Sequence, residues 1–332
     1  EGGRYARGAG AGSMAHILQV TFPFFALVLI GWAVARRGWL PLESIPALNL
    51  FVLYFALPCM LFRFAAATPI VRMFDPGVLG LWLACALAMV ALTVALMRRG
   101  AVGWNDAAFG ALVAAFPNSG FMGVPLLVGL LGPRAAAPAI VALALDMVVT
   151  SSLCIALSRL GTAGSHGAER AALQALKGMA TNPLPWSIAA GCAVAASGWA
   201  VPPLLQQPVG MLADAASPTA LFTLGALLAR AQMRSAAGLS PRRRDVPLGV
   251  ALKLLVHPLL VFAATQAALA LGVPLDPFAA TVLVLVAALP SASNVPMLAE
   301  RFGADVGRIA RIVLWTTALA FGSFTAAVAL LT

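Results

Sequence analysis

The chain has 332 residues, 61% hydrophobic and 10% charged, with a mean hydropathy of +0.95. Soluble domains carry roughly 25% charged residues, so the composition excludes a soluble globular protein and requires an integral membrane protein. The formal charge of +10 does not imply nucleic acid: no aromatic-basic motif accompanies it, and Lys and Arg gathered in cytoplasmic loops produce the same excess.

Residues 1–13 (EGGRYARGAGAGS) are Gly- and Ala-rich without apolar periodicity; a tag or extension is expected there, with the native start at Met14. A helix needs about 20 mostly apolar residues to cross a bilayer. By that measure ten crossings are predicted, at 17–36, 47–67, 78–97, 107–131, 137–159, 184–200, 207–230, 247–271, 277–300 and 307–331. The longest polar interval, 161–182, reads as a cytoplasmic linker between a first five-helix repeat (14–160) and a second (183–332). Cys59, Cys85, Cys154 and Cys192 all lie inside apolar segments without CxxC spacing, so they read as small packing residues and not as a disulfide or metal framework.

Crossings four and nine are interrupted, by FPNSGFMGVPLL (Phe116 to Leu127) and LPSASNVPML (Leu289 to Leu298). Proline removes a backbone donor and clashes with the preceding turn, so each should split into two half-helices, with Pro117, Pro125, Pro290 and Pro296 shaping the breaks. Hydrocarbon tolerates the freed backbone groups only where they are buried in protein or line a cavity. Two such breaks in corresponding places of two halves point to the binding site of a secondary transporter.

With Met14 starting outside, the inner loops hold Arg36, Arg37, Arg98, Arg99, Arg159, Arg170, Lys177, Arg230, Arg234, Arg242, Arg243, Arg244, Arg301, Arg308 and Arg311. The outer side holds Arg4, Arg7, Arg63, Arg72 and Arg134. This asymmetry predicts both termini outside a cell inner membrane. Five crossings per half then make the second half enter upside down, so the expected fold is all-α, ten transmembrane helices in two inverted five-helix repeats. Weak echoes follow the same order: ALP (Ala56 to Pro58) and ASP (Ala216 to Pro218) in crossings two and seven, TFPFF (Thr21 to Phe25) and NPLPW (Asn182 to Trp186) at the start of one and six. The run Arg242–Arg244 reads as a topogenic loop, and Trp39, Trp104, Trp186 and Trp199 at segment ends read as interfacial anchors.

FPNSGFMGVPLL, ANPLPWSIAAG (Ala180 to Gly191), SPTALFTLGALLA (Ser217 to Ala229), ALPSASNVPMLAERFG (Ala288 to Gly303), RRGWLP (Arg36 to Pro41) and LFVLYFALPCMLF (Leu50 to Phe62) resemble the auxin efflux carrier family, in particular its bacterial malonate and malate permease branch. The resemblance covers essentially everything from Met14 onward. It implies a scaffold of helices one, two, six and seven and a transport domain of helices three to five and eight to ten, moving as an elevator. It also implies a substrate site where helices four and nine cross, and organic acids as substrates. The long cytosolic loop of many plant members is absent from this sequence.

A half-helix N-terminus with its unpaired N–H groups suits a carboxylate, and an asparagine beside it adds a donor without a buried charge. Asn118 and Asn294, which match the family's crossover asparagines, are therefore expected to coordinate substrate, with Ser119, Gly120, Ser291 and Ser293 as neighbours. The alternative is that both asparagines only cap the half-helices. Lys253 and His257 lie four residues apart on one face of crossing eight, and Asp146 lies mid-span in crossing five. Intramembrane ionisable residues suggest function; Asp146 is the candidate for proton coupling with Lys253 as partner, against a snorkelling Lys253 and a packed His257. Asp214 and Tyr54 are weaker candidates.

The expected function is proton-coupled uptake of a malonate- or malate-like dicarboxylate. Its rivals are export of a monocarboxylic weak acid and an ion-coupled carrier of another crossover-helix family. An intramembrane hydrolase on Ser119 and His257 is disfavoured, since no GxSxG or HExxH spacing is present. The expected partners are a small organic acid, protons, the lipid bilayer and, as an option, a second copy in a homodimer. No nucleic acid, cofactor or metal is expected.

Overall fold

A computed structural model describes residues 14–99, 102–160, 182–236 and 245–332. The predicted extension 1–13, all of the linker but Asn182, and Arg242–Arg244 lie outside them. Among the described residues the regular structure is helical, apart from one isolated antiparallel bridge. In chain order the main helices are α1 (Met14–Arg36), α2 (Leu42–Ala66), α3 (Pro76–Arg99), α4 (Trp104–Ala115), α5 (Ser119–Leu131) and α6 (Pro133–Ser158). Then follow α7 (Pro183–Ser197), α8 (Pro203–Ala236), α9 (Val246–Ala270), α10 (Pro277–Ala288), α11 (Val295–Arg301) and α12 (Val306–Leu331). The helices α1, α2, α3, α6, α8, α9 and α12 are long and apolar enough to cross a membrane. The segment expected at 184–200 is a helix of only 15 residues, α7. That expected at 207–230 extends in both directions to 34 residues in spite of Pro208 and Pro218.

Capping sets several starts. Asn182 accepts from Leu184 N–H at 3.0 Å ahead of α7, Asp276 from Phe278 N–H at 3.0 Å ahead of α10, and Asp305 from Arg308 N–H at 3.0 Å ahead of α12. Wide turns with i→i+5 hydrogen bonds span Val52–Ala56 inside α2, Ser119–Gly123 at the start of α5 and Leu252–Val256 inside α9. Each stands just before a proline (Pro58, Pro125, Pro258) that cannot donate, so the helix widens to re-pair the freed carbonyls. A fourth, Asp146–Thr150, has no proline; there the Ser151 hydroxyl donates to the Asp146 carbonyl at 2.9 Å.

The helix α1 packs along α8, and α7 along α2. Both contacts run backbone against backbone, as small residues permit between membrane helices. A Cβ on Gly225 would overlap the Val28 carbonyl oxygen, one on Gly31 the Phe222 carbonyl, and one on Gly191 would lie 2.7 Å from the Phe62 carbonyl oxygen. A second body of packing joins α3 with α4, α9 with α10, α4 with α6, and α12 with α9 and α11.

One end of this second body is fastened by Arg308, fully buried in the first turn of α12. Its Nε donates to Asp245 Oδ2 at 2.6 Å, its Nη1 to the Asp106 carbonyl at 2.7 Å, and its Nη2 to Met97 Sδ at 3.0 Å. Asp305 N–H donates to Asp106 Oδ1 at 2.9 Å, and Asn105 Nδ2 to the Phe302 carbonyl at 3.1 Å. Gly110 leaves the room: an added Cβ would stand 2.6 Å from Arg308 Nη2. A single guanidinium thus binds the ends of α3, α4, α9 and α12 together.

Two outcomes follow for the thermal midpoint of detergent-solubilised protein. Gly225→Leu, which must push α1 off α8, lowers it by an amount worth about 1–3 kcal/mol, whereas Gly210→Leu on the same helix, with open space around it, leaves it unchanged. Arg308→Met, which strands the Asp245 carboxylate, costs roughly 3–5 kcal/mol, and Asp245→Asn in the same background recovers part of the loss.

Candidate functional site

The two breaks meet. Phe116 and Leu289, each followed by proline, leave the helical region (φ −96°, ψ 105° and φ −62°, ψ 156°), as steric conflict with the following ring requires. The extended stretches then pair as an antiparallel bridge between Pro117 and Ser291. Asn118 N–H donates to the Pro290 carbonyl at 2.8 Å, and Ala292 N–H to the Phe116 carbonyl at 2.9 Å. Backbone groups freed in one break are satisfied by the other, which is how broken helices persist inside a membrane protein. Ser291 N–H is taken by Thr316 Oγ1 of α12 at 3.3 Å. Pro117 and Pro290 lie in the breaks themselves, while Pro296 falls in the first turn of α11 and Pro125 just after the wide turn Ser119–Gly123 that opens α5.

The side chains at the crossing are buried but under-used. Asn118, Ser119, Ser291 and Ser293 are buried and Asn294 is half-buried. Asn118 and Asn294 both occupy N-cap positions, yet neither side chain makes a capping hydrogen bond. Asn118 Nδ2, Ser291 Oγ and Ser293 Oγ have no partner, and Ser119 Oγ reaches only the Pro117 carbonyl, at 3.5 Å. Buried polar atoms are normally paired, so orphaned ones call for an explanation. A Cβ on Gly120 would meet Leu143 and Leu57 only at ordinary contact distance, whereas one on Gly123 would lie 2.5 Å from Leu289 of the other break. Gly123 thus leaves room for the Leu289 side chain of the other break. The crossing is a neutral patch of amide and hydroxyl groups, without a carboxylate or a cation.

The three ionisable candidates gather behind it. Lys253 does not snorkel: it is fully buried, and its Nζ donates to the Ala287 carbonyl at 3.0 Å and stands 3.0 Å from His257 Nδ1. Ala287 is next to last in α10, so the ammonium sits at the negative end of that half-helix. Asp146 is also fully buried; its Oδ1 accepts from Thr150 Oγ1 at 2.9 Å and its Oδ2 has no partner. Lys253 is close enough to bear on Asp146 electrostatically, but no direct ion pair joins them. The two wide turns Asp146–Thr150 and Leu252–Val256 bring these groups inward. Trp82 of α3 closes the cluster: its ring centroid is 5.7 Å from that of His257, and its indole lies near the Asp146 carboxyl without full hydrogen-bond geometry.

Other sequence candidates fall elsewhere. Asp214 pairs with Arg63 at 2.7 Å on an exposed surface, and Tyr54 is 54% exposed. Ser119 and His257 share no hydrogen bond. All four cysteines are free thiols, and no group of three or more His, Cys, Asp or Glu among the described residues could hold a metal. Sequence reasoning missed Trp82, which stands four residues inside the expected crossing 78–97 and so looks like one more tryptophan near a segment end. It also missed Arg308, counted as a loop charge although it begins a helix.

Known proteins align along nearly the whole chain. The model of a family described as membrane transport protein matches residues 16–328. A Rhizobium meliloti (strain 1021) protein called "Putative malonate transporter" is 31% identical over 320 residues, covering 94% of this chain and 95% of its own. The "Uncharacterized transporter YfdV" of Escherichia coli (strain K12) is 25% identical over 292 residues, covering 84% and 86%. The chain belongs to the membrane transport protein family, the auxin efflux carrier family that its motifs resemble.

Proposed function

We propose that this chain is a secondary transporter of small organic anions, with malonate- and malate-like dicarboxylates as its substrates, and that they bind where the two breaks cross. The observation that carries the reading is the set of buried, unpartnered groups there: Asn118 Nδ2, Ser291 Oγ and Ser293 Oγ, beside the N-terminus of α5. These are the groups a carboxylate uses, and hydrogen bonds to an anion are stronger than those between neutral groups. Asn294, half-buried at the mirror position, completes the site. The relative called a malonate transporter supports the substrate class.

The packing supports two inverted five-helix repeats. Crossing one (α1) packs on seven (α8) and six (α7) on two (α2), pairs that interchange when the halves are exchanged. The pairs three with four (α3, α4) and eight with nine (α9, α10) interchange in the same way. Crossings one, two, six and seven form a scaffold and the others a transport domain that slides past it as an elevator in the inner membrane, with both termini outside. Uptake proceeds with a proton, because each negative charge entering a negative-inside cell meets about 2.3 kcal/mol per 100 mV. A weak-acid exporter is the competing direction.

In proteoliposomes with an inward proton gradient, labelled malonate enters with the unmutated protein and with Ser197→Ala, a change remote from the crossing. Asn118→Ala and Asn294→Ala each weaken uptake about 10- to 100-fold, the loss of one charge-assisted hydrogen bond of roughly 1.5–3 kcal/mol. Failure of the unmutated protein to move malonate, malate or a monocarboxylate in either direction contradicts the reading.

A further inference from the structure

Asp146, Lys253 and His257 are too deeply buried to be a solvated face and too incompletely paired to be a finished structural network. Lys253 as an ammonium has donors only, so its 3.0 Å contact with His257 Nδ1 requires a neutral imidazole that accepts at Nδ1 and carries its proton on Nε2. That Nε2 is buried and unpartnered, as is Asp146 Oδ2. With the carboxylate ionised, the cluster holds one negative and one positive charge and sums to zero. One further proton on Asp146 Oδ2 would leave a net charge of +1 in a fully buried place.

We propose that Asp146, Lys253 and His257 form a single buried proton-binding site, linked to the second break through the hydrogen bond from Lys253 to the Ala287 carbonyl. The proposal rests on the transport reading above. An uncompensated buried charge is strongly disfavoured, and an anion at the crossing is the group positioned to offset it: Ala287 precedes Pro290, Ser291 and Ser293 in the same stretch of chain. Proton and substrate therefore each favour the binding of the other, by the same factor in both directions. The proton arrives on Asp146, travels with the anion and leaves from Asp146; no bond other than the carboxyl O–H forms or breaks.

The surroundings offer no rival charge. From α3 comes Trp82, from α6 itself Thr150 and Cys154, and from α10 the Ala287 carbonyl. Asp106 of α4 and Arg308 and Arg311 of α12 stand at the starts of their helices, the first two engaged in the clasp.

The experiment compares two activities of the same proteoliposomes: exchange of labelled malonate against internal malonate without a gradient, and accumulation driven by an inward proton gradient, with internal pH followed by a dye. Asp146→Asn mimics the permanently protonated carboxyl, and Lys253→Gln leaves the carboxyl able to stay buried only when protonated. Asp146→Asn keeps exchange within about threefold of the unmutated protein, loses gradient-driven accumulation at least tenfold and abolishes malonate-evoked acidification, whereas Lys253→Gln, which removes the positive charge the anion offsets, weakens exchange and accumulation together. If either accumulates malonate under the gradient as the unmutated protein does, the proton site is overturned. It is overturned equally if Asp146→Asn with an unchanged thermal midpoint loses exchange together with accumulation, or if Lys253→Gln leaves exchange unchanged. If the unmutated protein exchanges neither malonate nor any related carboxylate, the transport reading itself falls, and this proposal with it.

Discussion

A backbone donor or acceptor freed inside hydrocarbon has no water to turn to, and the fold of this chain is arranged around that constraint. Pro117 and Pro290 each interrupt a helix, and each interruption would be intolerable alone. The two are brought together so that Asn118 and Ala292 donate to the Pro290 and Phe116 carbonyls. Gly123 admits Leu289 at the closest point. The main chain at the crossing is thereby paired, while the side chains of Asn118, Ser291 and Ser293 keep donors without partners. The proposed substrate site rests on that division between paired main chain and unpartnered side chains.

Around this joint, polar groups are graded by charge. The crossing itself is neutral. Behind it stands a cluster of opposite charges, Asp146 and Lys253, whose ammonium holds the C-terminal end of α10. At the far end of the same helices lies the Arg308 clasp. Cluster and clasp involve α3, α4, α6, α9, α10 and α12 and not α1, α2, α7 or α8, which are joined instead by close backbone contacts at Gly31, Gly225 and Gly191. One group of helices is thus held by directional polar bonds and the other by shape.

Much of this was legible in the chain itself. The breaks showed because proline acts locally, through a missing donor and a clash with the preceding turn, and the apolar lengths anticipated the seven helices long enough to cross a membrane. Helix ends were less visible: α8, packed along α1, runs through Pro208 and Pro218. The turn at Asp146 had no proline to announce it and depends on the hydroxyls of Thr150 and Ser151. Lys253 could be read as reaching water or turning inward, since spacing gives the face of a helix but not what that face meets. The Arg308 clasp was hidden for a stronger reason: its partners Met97, Asp106 and Asp245 are scattered over three separate segments, and only folding brings them together.

The account stands or falls on whether both breaks belong to one binding site. The most direct measurement is a structure of the protein determined with malonate bound. The account predicts a carboxylate between the two breaks, with oxygens within about 3 Å of Asn118 Nδ2 and of a Ser291 or Ser293 hydroxyl. Malonate found elsewhere, with the crossing empty and those groups still unpartnered, would contradict it.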